Sequence, residues 1–345
     1  MNWRLVAILI SLLPLLFLFI FSPVSITDIF SVGLFPFIIS VIFSLTKVFL
    51  QAFRFKYFVD QFLGYKVASS FKLISVRIGS EFVTNTTPSY IGGEIVRIAW
   101  LTKNKVPAGI AAWIATMEII ADVFVGTILA LIAGIFALYN GAILIGTIII
   151  IVSSLIFGFW LLVIIFSAHY NIQLPKFVTK LLKRFLSKER ADKIITYTNS
   201  AISDLCTMSR ENFNSKRTIK IFFVGIVITF FAFACLGASF LVLGGIVESN
   251  LDFYKSILAT AASTELGSLP ITVGGSGLTE LGLWAYISGL DHLPSINDVL
   301  QDSHLNVIIS WRIASYHIPL IMMWILLMKL TIDKKNTSVK NKLDQ

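Results

Sequence analysis

Apolar residues run along this chain in long blocks, not in the one-faced or alternating patterns of a water-soluble fold. Six blocks come close to or exceed the roughly 20 residues a helix needs to cross a bilayer, where no water satisfies an open backbone. They are Leu5 to Phe21, Phe30 to Leu50, Pro107 to Leu138, Ala142 to Phe166, Ile221 to Leu243 and His304 to Leu330. Arg4 before the first block suggests a signal peptide. That block lacks a small-x-small cleavage pattern before Ser22, however, and is read as a retained helix. Two further stretches, Phe71 to Trp100 and Phe253 to Leu290, are too apolar for loops and too broken by glycine for plain spans. Each reads as a re-entrant helical hairpin that dips into the membrane and returns to its own side.

The polar connections between the blocks set the orientation. Gln51 to Ser80 holds Arg54, Lys56, Lys66, Lys72 and Arg77, the long connection from His169 to Lys220 is rich in Lys and Arg, and the tail carries Lys334, Lys335, Lys340 and Lys342. Ser22 to Ile29, Tyr139 to Gly141 and Gly244 to Asp252 have no Lys or Arg and include Asp28, Glu248 and Asp252. Basic loops stay on the cytoplasmic side, so both termini are expected inside a cell membrane that the chain crosses several times. Pro175 to Lys193 sets Phe177, Leu181, Leu182 and Phe185 at helical spacing among Lys and Arg, the pattern of an interfacial helix on anionic lipid.

Composition agrees. Of 345 residues 56% are hydrophobic and 14% charged, against roughly 25% charged in soluble domains, so a soluble globular protein is excluded. The net charge of +9 fits basic loops beside anionic headgroups, so the expected partners are anionic membrane lipids and not nucleic acid. Cys206 and Cys235 fall in unlike segments, and no disulfide or Cys-based metal site is expected. No nucleotide-binding or metal motif occurs, and the four histidines have no ligand spacing, so no cofactor is expected.

The two expected hairpins share a pattern. The first reads Glu81, Pro88, Gly92, Gly93, Glu94; the second reads Glu265, Pro270, Gly274, Gly275, Ser276, Gly277, Glu280. Each half of the chain, about 1–140 and 141–330 with a tail at 331–345, holds three spans and one hairpin. An odd number of crossings per half turns the second half upside down, and paired Gly/Pro-broken segments in inverted repeats point to a transport site near the midplane. The expected fold is therefore an all-α polytopic bundle of two inverted repeats.

Charges inside apolar spans are functional candidates by default. Glu118 and Asp122 are four residues apart and share a helix face, with Glu118 roughly 16 Å beyond Pro107 at the α-helical rise. Arg312 sits deep in the last span, Arg97 closes the first hairpin, and Glu94 and Glu280 follow the glycine breaks, where an acid complements the positive end of a new helix. One reading makes these residues structural ion pairs, with Arg312 facing Glu118 or Asp122. A second makes them a cavity in which Arg97 and Arg312 grip a phosphate while backbone N–H groups around Gly274 and Gly275 donate further. The two are compatible. A different class is a membrane-embedded enzyme, either a lipid-headgroup transferase or a protease, the latter raised by Gly274-Gly275-Ser276-Gly277 with His317, which looks like the GxSG serine and helix-borne histidine of rhomboid proteases, although no small residues flank His317.

The segments Asn85 to Trp100 (NTTPSYIGGEIVRIAW), Glu118 to Asp122, Leu269 to Glu280 (LPITVGGSGLTE) and Trp311 to Pro319 (WRIASYHIP), in that order, resemble the transmembrane region of lysylphosphatidylglycerol synthases, the flippase-like membrane proteins. AFRFKYF around Arg54 is similar to that family's basic aromatic stretch. The resemblance implies translocation of a lipid with a modified phosphate headgroup, either an aminoacylated phospholipid or a glycosylated polyisoprenyl phosphate. It also allows a scaffold for a separately encoded glycosyl or aminoacyl transferase. Full synthases append a soluble transferase domain, and this chain ends 15 residues after Leu330, so it is not expected to make lysyl-lipid itself. Ile119 stands where the family has an arginine beside the glutamate, and Ser276 where a bulkier residue is common.

Overall fold

The computed structural model describes residues 32–87, 92–169, 175–185, 188–212, 215–246, 250–291, 302 and 304–343. The expected span Leu5 to Phe21 and the hairpin residue Pro88 lie outside them. The helices are α1 (Leu34–Leu63), α2 (Ser70–Asn85), α3 (Gly93–Lys103), α4 (Ala108–Tyr139), α5 (Ile143–His169) and α6 (Lys176–Phe185). There follow α7 (Lys188–Asn212), α8 (Lys216–Gly244), α9 (Phe253–Gly267), α10 (Leu278–Ile287) and α11 (His304–Arg312), then a π-helical turn (Ile313–His317) and α12 (Ile318–Leu343). Among the described residues there is no strand. Five stretches are long and apolar enough to cross a membrane: α1, α4, α5 as far as Phe166, α8, and the run from His304 to Leu330.

The chain is therefore an all-α polytopic membrane protein. Its outer surface agrees: α5 exposes Ile148, Ile151, Leu155 and Phe159, and α1 exposes Phe35, Ile38, Ile42 and Phe49. Such faces are stable only against lipid. Inside, where lipid gives no hydrophobic drive to bring helices together, close approach depends on small residues. Ser239 of α8 lies 2.9 Å from the hydroxyl of Ser40 and 2.8 Å from that of Ser44, joining α8 to α1. Gly134 of α4 faces Gly146 of α5 so closely that a Cβ on either would sit within about 3 Å of the other's carbonyl oxygen.

One boundary differs from the sequence expectation in a way that matters. α1 does not stop at Leu50 but runs to Leu63, where Gly64 in the left-handed region returns its N–H to Asp60 O at 3.1 Å. Arg54, counted above as a loop charge, is thus on a buried helix face with Ala52, Phe55 and Phe58. Arg77 is likewise buried, on α2. A sequence count of loop charges takes in any Arg beyond the apolar block, including one whose acidic partner is on another helix.

Neither pair α2/α3 nor α9/α10 contains a helix long enough to cross a bilayer. Each sets two short helices against one another, and in the second pair a non-helical segment, Ser268 to Gly277, joins them. In the first, a Cβ on Gly93 would sit 2.0 Å from Thr84 Oγ1 and 2.8 Å from Ser80 O; in the second, a Cβ on Gly267 would sit 2.2 Å from Thr279 Oγ1. The limbs touch because glycine stands at the contact. Pro270 lies exposed in the second break, Ser268 to Gly277. α11 starts from Asp302, whose Oδ1 accepts the N–H of His304 at 2.8 Å and whose Oδ2 accepts from Trp284 Nε1 at 2.8 Å. Burial pushes that carboxyl up, yet these hydrogen bonds outweigh it and hold the group below the ordinary carboxylate range.

Candidate functional site

Four helices converge on one carboxylate. α4 supplies Glu118 and, one turn on, Asp122; α1 supplies Arg54; α2 supplies Arg77 with Glu81 four residues later; α3 supplies Arg97 with Glu94 three residues earlier. Glu118 Oε1 accepts from Arg77 Nε at 3.0 Å and lies 3.6 Å from Arg54 Nη2, while Oε2 is 3.0 Å from Arg97 Nε, off the line of its N–H bond. Three guanidinium groups from three helices share it.

Each arginine also holds a second acid. Arg54 grips Asp122 as a fork, Nη1 to Oδ1 at 2.6 Å and Nη2 to Oδ2 at 2.7 Å, and Nη1 also donates to Thr229 of α8. Arg77 donates to Glu81. Arg97 donates to Glu94 Oε1 at 3.1 Å and to Ser80 Oγ at 3.1 Å, and Glu94 Oε2 caps α3 by accepting the Gly92 N–H at 3.0 Å. The burial is graded. Arg54 is 0% exposed and Glu118 1%, whereas the side chain of Asp122 is 35% exposed. The cations form the floor of the site and the outer acids form its rim.

A second cluster stands at the other break. Arg312 Nε lies 2.9 Å from Glu280 Oε1, Arg312 Nη2 donates to Gly274 O at 2.7 Å, and the guanidinium stacks 4.0 Å from the Tyr316 ring centroid. Glu280 Oε2 caps α10 by accepting the Gly277 N–H at 2.8 Å. The acid paired with Arg312 is therefore Glu280, where the sequence reading expected Glu118 or Asp122. At Gly274 it is a carbonyl, not an N–H, that faces the arginine; its neighbour Gly275 is buried in the same break.

The two clusters are joined. Tyr316 Oη donates to Asn85 O, at the end of α2, at 2.7 Å, and Gly274 is close enough that a Cβ on it would lie 2.3 Å from the same Asn85 oxygen. The two broken hairpins thus meet at Tyr316. Lys47, half-buried on α1 two turns before Arg54, interacts electrostatically with Glu81, Asp122 and Arg77 of the first cluster and Arg312 of the second.

Sequence reasoning put Glu94, Arg97, Glu118, Asp122, Gly274, Gly275, Glu280 and Arg312 in one cavity, which the fold divides between two clusters, and it missed Arg54, Arg77 and Lys47. A usable signal was present. Lys47 and Arg54 are seven residues apart, and Arg77 and Glu81 four, so each pair shares a helix face. Ser276 is buried in the second break, and His317 ends the π-helical turn with Nδ1 3.2 Å from Arg312 O.

Fold and site together describe a polytopic helical membrane protein that buries a charged network where two broken helical hairpins meet. The comparison with known proteins gives this class a family: the chain belongs to the lysylphosphatidylglycerol synthase transmembrane region family, matched over residues 4–322. It is also similar to a UPF0104 membrane protein of Archaeoglobus fulgidus, at 25% identity over 280 residues, covering 78% of each chain.

Proposed function

We propose that the protein translocates a lipid bearing a phosphate headgroup, an aminoacylated phospholipid or a glycosylated polyisoprenyl phosphate, across the cell membrane. The observation that carries this reading is the sharing of Glu118 among Arg54, Arg77 and Arg97. A carboxylate ringed by three planar donors occupies the kind of position a phosphate fills, and guanidinium forks match phosphate oxygens in pairs. A headgroup entering past the exposed side of Asp122 displaces carboxylates from the arginines, and Glu118, shared by three of them, keeps a cation when it gives one up. The short, broken hairpins supply segments that can shift without unravelling a whole span. On this reading the two halves, divided near Asn140, are inverted repeats.

Lysine substitutions test the clamp. Arg97→Lys and Arg312→Lys keep the charge for Glu118 and Glu280, so the purified variants should melt close to wild type. An ammonium cannot make the planar fork, so transport of a fluorescent lipid analogue in proteoliposomes should fall by about tenfold or more. A Lys variant that melts and transports like wild type would reduce these arginines to structural residues.

Orientation has its own test. With both termini cytoplasmic, a cysteine placed at Asn140 should react with an impermeant maleimide from outside, and one placed at Lys103 or Lys216 should not. External labelling at Lys103 would reverse the orientation and remove the basis of the inverted repeat.

A further inference from the structure

One buried acid stands outside the ion-pair network. Glu265, on the last turn of α9, is 8% exposed and its Oε1 has no hydrogen-bond partner among the described residues. Its Oε2 faces α4 at Gly126, where a Cβ would lie 3.5 Å from it and 3.2 Å from the ring of Phe233 on α8. These contacts place Glu265 one layer from the first cluster. Gly126 is one turn beyond Asp122 on α4, and Phe233 is one turn beyond Thr229 on α8; Asp122 and Thr229 are the two residues to which Arg54 donates. Four residues along a helix is about 6 Å. Glu81 makes a contrast: it has Arg77 one turn before it, where Glu265 has Ala261.

The titratable groups on the elements packed against α9 are few. α4 brings Glu118 and Asp122, both already held by arginines, and the exposed Tyr139 at its far end; α8 brings Cys235 in its apolar part and Lys216, Arg217 and Lys220 only at its start; α10 brings Glu280, held by Arg312, and Tyr286, whose hydroxyl lies 3.4 Å from Ala133 O; α5 brings only His169 at its far end. α9 itself has Tyr254 and Lys255 at its opposite end. An ionised carboxylate buried without a cation is costly enough that such a group keeps its proton instead.

We propose that Glu265 is a proton-binding site that couples lipid movement to the proton gradient across the membrane. The coupling half of this rests on the transport reading above. When the O–H bond breaks, the proton passes to water and no other bond changes. The carboxylate left behind draws on the cation of the adjoining layer, Arg54, and competes with Asp122 and Glu118 for it. The break from Ser268 to Gly277 begins at the end of α9, and both the N–H and the hydroxyl of Ser268 donate to the backbone carbonyl of Glu265, at 3.1 Å and 2.6 Å, so a backbone movement at this acid is passed to the hairpin.

Two measurements on the full chain test the site. In infrared spectra of the detergent-purified protein, a carboxylic-acid carbonyl band should titrate with pH in the wild type, persist in Glu265→Asp and vanish in Glu265→Gln. In phosphatidylcholine proteoliposomes containing a fluorescent phosphatidylglycerol, reversing an imposed pH gradient should change the wild-type rate, whereas Glu265→Gln should move lipid at a rate indifferent to the gradient. A band unchanged in the Gln variant, or a Gln variant that still follows the gradient, overturns the proposal. If the wild type moves no lipid while the band behaves as expected, the transport reading falls and the proton site stands.

Discussion

Glu118→Ala should strip the protein of much of its stability and lower its melting temperature sharply. The substitution removes the carboxylate shared by Arg54, Arg77 and Arg97, all three nearly or fully buried. Deleting one partner of a buried ion pair costs about 3 to 5 kcal/mol because a charge is left uncompensated. Native proteins have only about 5 to 15 kcal/mol in hand. Glu118→Gln keeps size and an acceptor but not the charge, and should be intermediate. Asp122→Asn provides the comparison: that side chain is 35% exposed and holds a single arginine that Glu118 also neutralises, so its loss should cost far less. Thermal melts of the three variants in one detergent should rank Ala below Gln below Asn. An Ala variant that melts like wild type would mean Glu118 is not the hub of the network.

Gly274→Ala should part the two hairpins. Its Cβ would fall 2.1 Å from Tyr316 Oη and 2.3 Å from Asn85 O, and its φ of +59° is one that a side chain resists. A left-handed backbone costs a non-glycine residue about 1 to 2 kcal/mol, and an overpacked contact commonly adds about 1 to 3 kcal/mol. Tyrosine can swing away, but the Asn85 oxygen belongs to the backbone, so Gly274→Ala combined with Tyr316→Phe should not recover. Gly277→Ala separates the two effects. Its φ is +88°, but an added Cβ meets nothing within 4 Å, so it carries strain without collision. Both melting temperature and lipid transport should drop further for Gly274→Ala than for Gly277→Ala. Equal effects would show that backbone strain alone matters and that the contact between hairpins does not.

Much of the architecture was legible because a bilayer imposes lengths. The block expected from Pro107 to Leu138 became α4, Ala108–Tyr139, and both broken segments became pairs of short helices, since Gly and Pro interrupt them where a span would continue. The site was legible only in part. That Glu118 and Asp122 share a face follows from helical period, but the cation facing them does not: Arg54 lies 68 residues before Asp122, and nothing local in the sequence joins them. The same holds for Arg312 and Glu280, where each charge could be seen and the pairing required the fold. Arg54 and Arg77 were read as loop charges because a count of basic residues outside an apolar block assumes that each is solvated.

The π-helical turn at Ile313–His317 sets the angular phase of everything after it. An α-helix advances about 100° per residue, and a π turn accommodates an extra residue without breaking the rod. Arg312 before the turn is directed at Glu280, while Leu320, Met323 and Leu327 after it pack on Ile78 and Phe82 of α2, with the Leu327 backbone against Gly79. Both engagements hold only at this offset. Closing the turn into regular helix at unchanged length would rotate α12 by about 100° and carry its packed face off α2 while Arg312 stays where it is, whereas removing one residue as the turn closes keeps the phase. A one-residue deletion within the turn is thus expected to be milder than the same deletion in the regular helix of α12, where nothing absorbs the change of phase.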